Sequence, residues 1–230
     1  MTSRMPTRPR IVATLAFCCC LSMAAGAHAQ VATPPPGDPD TQPIPRFAVD
    51  ARGAFPRFKE DATIAGGIGV STANLPTRGL GAVVGAHWYP FRLGVVTFGF
   101  GGEFLISRAS RTLAATTEGA EDGPTVKTRF SAVSPQVSLN FGKQNGWSYL
   151  SGGMGRSTYT TEREDAPLPD PESGTKTINY GGGARWFAKK HLALSLDLRF
   201  YAVNPREAEA GRPALPRMTV LVLSAGASFK

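Results

Sequence analysis

Cysteine occurs at one place in this 230-residue chain, the run Cys18-Cys19-Cys20 near the N-terminus, and nowhere else. A chain processed beyond that run has no disulfide framework, no thiolate nucleophile and no thiolate metal site. Histidine is also scarce, at three residues. Charged residues make up only 18% of the chain. They are scattered along the sequence rather than gathered in a run, which gives little reason to invoke nucleic acid, and no nucleic-acid partner is expected. Long helices are a poor reading too, because 26 glycines cluster inside the apolar segments. Each glycine in a helix interior would cost about 1 kcal/mol relative to alanine.

The first 29 residues have the order of a secretory signal. Arg4, Arg8 and Arg10 precede an apolar run from Ile11 to Ala25, and Ala27-His28-Ala29 supplies a small-x-small cleavage pattern. The run falls short of the ~20 residues that a spanning helix needs. Phe17 before Cys18 does not fit a lipidation site, so all three cysteines leave with the signal. Removing the three arginines lowers the formal net charge from +8 to +5. Residues 30–46, QVATPPPGDPDTQPIPR, carry six prolines and read as an extended leader or spacer.

From residue 47 onward the dominant period is two. Residues 191–201, HLALSLDLRFY, put Leu192, Leu194, Leu196, Leu198 and Phe200 on one face, with Asp197 and Arg199 on the other. A helix would scatter those leucines, whereas a strand stacks them. Alternation of the same kind occurs at 47–57, 79–89, 94–107, 126–141, 147–159, 177–187 and 219–229, making eight strands. In the fourth the register is unclear before Ala132. In the fifth, Leu150 and Met154 are assigned to the apolar face, although Trp147, Tyr149 and Tyr159 have the other parity.

Connections alternate in length. Residues 90–93, 142–146 and 188–190 are short, the second containing the turn pair Asn145-Gly146. Residues 58–78, 108–125, 160–176 and 202–218 are long and polar, with room for a helical turn near Asp61 to Ala65. Short turns at one end and four long loops at the other describe an up-and-down meander.

Two features favour a membrane barrel over a soluble sandwich. The polar faces carry Asp50, Arg52, Glu103, Gln136, Asn179, Arg185, Asp197 and Arg199 among many glycines. That mixture suits the crowded interior of an eight-stranded barrel, where charges must be paired. Pairing the sixth and seventh strands through residues 188–190 sets Phe187 opposite His191, Gly181 opposite Asp197 and Asn179 opposite Arg199. Aromatics also gather at the short turns: Trp88, Tyr89 and Phe91, then Trp147 and Tyr149, then Trp186 and Phe187. The expectation is a girdle at one membrane interface. An open sheet edge in lipid would leave backbone groups unsatisfied, so the barrel has to close.

The signal, the run Tyr149-Leu150-Ser151-Gly152-Gly153-Met154-Gly155 and the alternating last strand resemble the small outer-membrane barrels, the OmpA-like and OmpX-like domains grouped as porin-family proteins. The resemblance covers residues 47–230. It implies an all-β, eight-stranded antiparallel up-and-down transmembrane β-barrel in the cell outer membrane, monomeric and in contact with outer-membrane lipids. It also implies that the barrel assembly machinery reads a terminal aromatic. Here Phe229 is penultimate, before Lys230, which departs from the pattern. No wall-binding domain follows, so a tethering role is not implied.

Catalysis finds little support in the residues. His87 and His191 both fall near the short-turn end, and Ser195 lies roughly 13 Å from His191 at strand rise, too far for a nucleophile–base pair. The acidic groups Glu118, Glu121 and Asp122, or Glu162, Glu164 and Asp165, lack the spacing of a calcium loop. The glycine runs match no phosphate-binding fingerprint. The expected role is a structural or surface-interaction barrel with a polar, plugged lumen, no cofactor and an extracellular ligand on its loops. A small channel or lipid-binding barrel is the alternative, and a lipid A-modifying enzyme comes third.

Overall fold

A computed structural model describes residues 43–115, 122–169, 173–209 and 211–230. Eight antiparallel strands follow one another around a closed barrel. They are β1 (Phe47–Arg57), β2 (Leu80–Leu93), β3 (Val96–Thr112), β4 (Thr125–Lys143), β5 (Gly146–Arg163), β6 (Thr175–Phe187), β7 (Leu192–Val203) and β8 (Met218–Phe229). β1 closes on β8 from Val49↔Phe229 to Arg57↔Leu221, which leaves no free edge. The expected signal at 1–29, most of the 30–46 leader, and Glu118 and Glu121 lie outside the described residues.

Three turns differ from the sequence expectation. β2 continues through residues 90–93 past a bulge between Trp88 and Phe91, and the turn is Gly94-Val95. The next turn is Gln144-Asn145, with Gly146 already paired to Lys143. The third takes in His191 as well as residues 188–190. It moves the β6–β7 pairing by two residues, to Phe187↔Ala193, Gly183↔Asp197, Gly181↔Arg199 and Arg185↔Ser195. A shift of two preserves which face each side chain takes but changes its neighbours. The expected pairs of Phe187 with His191 and of Asn179 with Arg199 are therefore corrected.

Along β4 the two faces exchange chemistry. From Val133 to Phe141 the outward residues are Val133, Val137, Leu139 and Phe141, while Ser134, Gln136, Ser138 and Asn140 point in. Above Val133 the outward residues are Lys127, Arg129 and Ser131, and the buried ones are Val126, Phe130 and Ala132, with Thr128 among them. β3 changes over in the same place, from Phe104 and Ile106 outside to Arg108 and Ser110. The barrel therefore has a lower section that is apolar outside and an upper section that is polar outside.

The upper interior is an apolar core containing Phe58, Ile64, Leu105, Phe130, Tyr159, Tyr201 and Val220. Phe58 meets Tyr159 edge-on at 5.8 Å, and Phe130 meets Tyr201 at 5.6 Å. A short helix, α1 (Ala62–Gly67), covers it with Ile64 and Ala65. Asp61 caps that helix by accepting from the backbone N–H of Thr63 at 2.8 Å. At the short-turn end a second cluster joins Ile44, Ala48, Tyr89, Trp147 and Tyr149. Ile44 thus brings the end of the proline-rich leader into the core.

Candidate functional site

Between the two apolar clusters the lumen holds a charged layer. β1 contributes Asp50 and Arg52, β2 His87, β3 Glu103, β6 Arg185, and β7 Asp197 and Arg199, all buried. Strand alternation delivers these side chains inward because their neighbours, such as Val49, Ala51, Phe104 and Leu198, face outward.

Arg185 grips Asp50 with two hydrogen bonds, Nε to Oδ1 at 3.0 Å and Nη2 to Oδ2 at 2.5 Å. Ser228 donates to the same carboxylate. Arg52 donates to Glu103 and lies 3.5 Å from Asp197. Arg199 has the most partners. It reaches Asp197 at 2.9 Å, Glu103 at 3.1 Å, Gln136 at 2.8 Å, Asn179 at 3.0 Å and Ser151 at 2.9 Å. All eight sequence-selected polar residues, Asp50, Arg52, Glu103, Gln136, Asn179, Arg185, Asp197 and Arg199, are in this one layer.

The aromatic expectation needs correction. Trp88 and Trp186 are half-exposed on the outer wall, but Tyr89, Trp147 and Tyr149 are buried inside. The reason is parity. Trp147 and Tyr149 alternate with outward Leu150, and Tyr89 follows outward Trp88. Tyr149 is part of the charged layer, donating to Asp197 at 2.8 Å and accepting from Arg52 at 3.2 Å. The Arg185 guanidinium lies 4.4 Å from the centre of its ring. The sequence reading assigned this residue to the girdle, although its parity in β5 pointed inward.

Glycine makes the space. A Cβ at Gly183 would come within 2.7 Å of the Tyr149 hydroxyl, and one at Gly101 within 2.5 Å of His87 Nδ1. Both strands need a bare backbone opposite those rings.

Asp50, His87 and Glu103 bring three potential metal ligands within 4.8 Å of one another. Arginines already occupy this set, however: Arg185 holds Asp50, while Arg52 and Arg199 hold Glu103. Three acids and three arginines balance, and a divalent cation would unbalance them at a buried position. His87 Nε2 lies 3.0 Å from Asp50, so its chemistry is directed into the layer. His191 sits at the short-turn rim, where Nδ1 is 3.0 Å from the Lys230 carbonyl. Neither histidine is at the long-loop rim.

An apolar outer wall around a charged interior inverts the polarity of a soluble protein and requires hydrocarbon outside. The chain is a membrane-spanning barrel that resembles known outer-membrane proteins. No family model and no curated protein matches it. Solved structures with a similar fold include Neisserial surface protein A, at 12% identity, TM-score 0.48, and coverage of 81% of this chain and 97% of that one. Ail, the attachment invasion locus protein of Yersinia pestis, follows at 13% identity, TM-score 0.48, and 80% and 96% coverage. The outer membrane protease OmpT from Escherichia coli is more distant, at 8% identity, TM-score 0.41, and 80% and 96% coverage. At these identities the likeness concerns the fold alone.

Proposed function

We propose that this protein is a non-catalytic outer-membrane barrel with a structural or surface-interaction role, holding its four long connections outside the cell. The observation that carries the reading is the filled lumen. A six-charge layer is closed above by the Phe130–Tyr159–Tyr201 core and below by Tyr89 and Trp147. An eight-stranded barrel has room for side chains alone at its centre, so a water-filled path is not supported. The work then falls to the loops and the outer wall.

Assembly follows from the seam. Phe229 faces outward on β8 and pairs with both Val49 and Leu192, where the first and last strands meet. In this reading it is the signal taken by the assembly machinery. Lys230 does not trail free. Its ammonium donates to the Gln144 carbonyl at 2.6 Å and lies 3.9 Å from the Phe187 ring centre. The extra residue is tied back against the short-turn rim, which accommodates the departure from a terminal aromatic. The barrel closes within one chain, so no second copy is needed to satisfy its edge strands.

The test is reconstitution in planar bilayers together with protease accessibility on whole cells. The expected result is no steady single-channel conductance and cleavage confined to the long connections. Stable, high conductance would overturn the closed-lumen reading, and cleavage at the short turns would overturn the orientation.

A further inference from the structure

Above the apolar belt, the outer faces of β1 to β4 carry a row of cations. Arg57 and Arg78 form an antiparallel bridge, and Arg108 and Arg129 are direct cross-strand partners. Leu80 stands opposite Arg108, so Arg78 is diagonal to Arg108 on the same face. With Lys127 these residues line a groove of about 790 Å³. Like charges directly opposite one another destabilise a sheet, and here two such pairs adjoin. Lys127 and Arg129 have carboxylates at 2.8 and 3.6 Å, in Glu164 and Glu162. Among the described residues, Arg57, Arg78 and Arg108 form no ion pair.

The same groove is apolar at its base, with Phe55 and Leu80 in its wall. It continues downward into a trough of about 860 Å³ whose outer faces are Ala82, Ile106 and Ser131. These form one lateral row, the step above Val84, Phe104 and Val133 of the belt. Ala82 and Ser131 are small where their lower neighbours are large. That leaves a shelf running from the arginines into the hydrocarbon zone.

A ligand that satisfies both halves is anionic at one end and acyl at the other. Arginine suits phosphate because its fork donates two parallel charge-assisted hydrogen bonds. We propose that this groove binds the phosphorylated headgroup of an acyl lipid of the outer leaflet, with a chain lying along Ala82, Ile106 and Ser131. The anion relieves the Arg57–Arg78 and Arg108–Arg129 repulsions. The assignment to the outer leaflet rests on the proposed outward orientation of the long connections. Binding in micelles tests the groove without reference to orientation, which the protease experiment tests separately.

The experiment titrates the refolded full-length barrel in a maltoside detergent, which has no phosphate. The probes are diphosphorylated lipid A, its monophosphorylated form and inorganic phosphate, with lipid adducts counted by native mass spectrometry. The diphosphorylated lipid is expected to bind more tightly than the monophosphorylated one. Arg78→Gln and Arg108→Gln should each weaken binding about fivefold, while Lys143→Gln at the opposite rim leaves it unchanged. Inorganic phosphate at the lipid's concentration should not displace the lipid. Unaltered binding by both arginine variants, or displacement by inorganic phosphate alone, would overturn the proposal. Heat-modifiable migration without lipid provides a second reading. Arg108→Gln should be at least as heat-resistant as the native barrel, because a repulsion is gone. A lower resistance would mark Arg108 as structural and overturn the assignment.

Discussion

The lower and upper sections of the barrel use the same strands and the opposite rule. Below Val133, β4 sends Val137 and Leu139 out and Gln136 and Asn140 in; above it, Arg129 goes out and Phe130 goes in. Strand geometry is unchanged across that boundary. The medium outside is what changes. In hydrocarbon an outward apolar side chain costs nothing, and polar groups must find partners within the lumen. In water the hydrophobic effect applies as usual, and burying a large apolar side chain contributes about 1.5–3 kcal/mol. The upper section thus follows the polarity rule of a water-soluble barrel, and the lower section that of a membrane barrel.

The sharpest way to break the comparison is to remove one member of the charged layer. Asp197→Ala leaves Arg52 and Arg199 to share Glu103 and removes the acceptor of Tyr149. A loss of about 3–5 kcal/mol is expected, as for other broken buried pairs, measured by reversible urea unfolding in micelles. Next in size is Leu196→Arg, the middle of the outward row from Leu192 to Phe200 on the lower wall, expected to cost about 2–4 kcal/mol near the midplane. Its counterpart on the upper wall, Thr219→Arg, exposed at the upper end of β8, should assemble with native yield, and a similar loss from both would erase the boundary.

Tyr149→Phe tests the layer more gently, leaving Asp197 and Arg52 short of one hydroxyl at a cost of about 1–3 kcal/mol. Leu105→Met in the upper core conserves volume and should cost less than about 1.5 kcal/mol. A core can repack around a changed shape, whereas a charge network cannot recover a lost partner. The smallest effect belongs to the rim pairs. Glu164 is held below its ordinary pKa by the hydrogen bond and charge of Lys127, and Asp165 by its hydrogen bond and ion pair with Arg163. A depressed carboxylate contributes above its unfolded pKa and is lost as pH falls through the folded one. Acidification through the carboxylate range should therefore release these exposed pairs. Asp165→Ala should leave the heat-modifiable migration unchanged, in contrast to Asp197→Ala.

The sequence pattern was legible wherever one rule held along a whole strand. β1, β6, β7 and β8 alternate cleanly, and the inward parity of Asp50, Arg52, Asn179, Arg185, Asp197 and Arg199 followed from that. It became illegible where the rule inverts. The fourth strand has no single apolar face because Phe130 points in and Val133 points out. Tyr159 and Leu150 have opposite parities in β5 for the same reason. Tyr149 and Trp147 were misread because closeness to a short turn was weighed above parity. Turn length set the β6–β7 register, and with glycine on the facing strand no side-chain pattern opposed a shift of two.

The amino-acid order by itself determined the period of two, the number of strands, their alternating short and long connections, and which side chains share a face. These are local properties, because alternation comes from backbone geometry one residue at a time. Only the tertiary structure decided which arginine meets which acid, that Tyr149 joins them, and that Ile44 and α1 close the two ends. It also brought Arg78 beside Arg108 and Arg129. Such contacts join residues far apart in the chain, as Arg185 and Asp50 do across 135 positions. Register, closure and the boundary between lipid and water set them together, and no local pattern encodes all three.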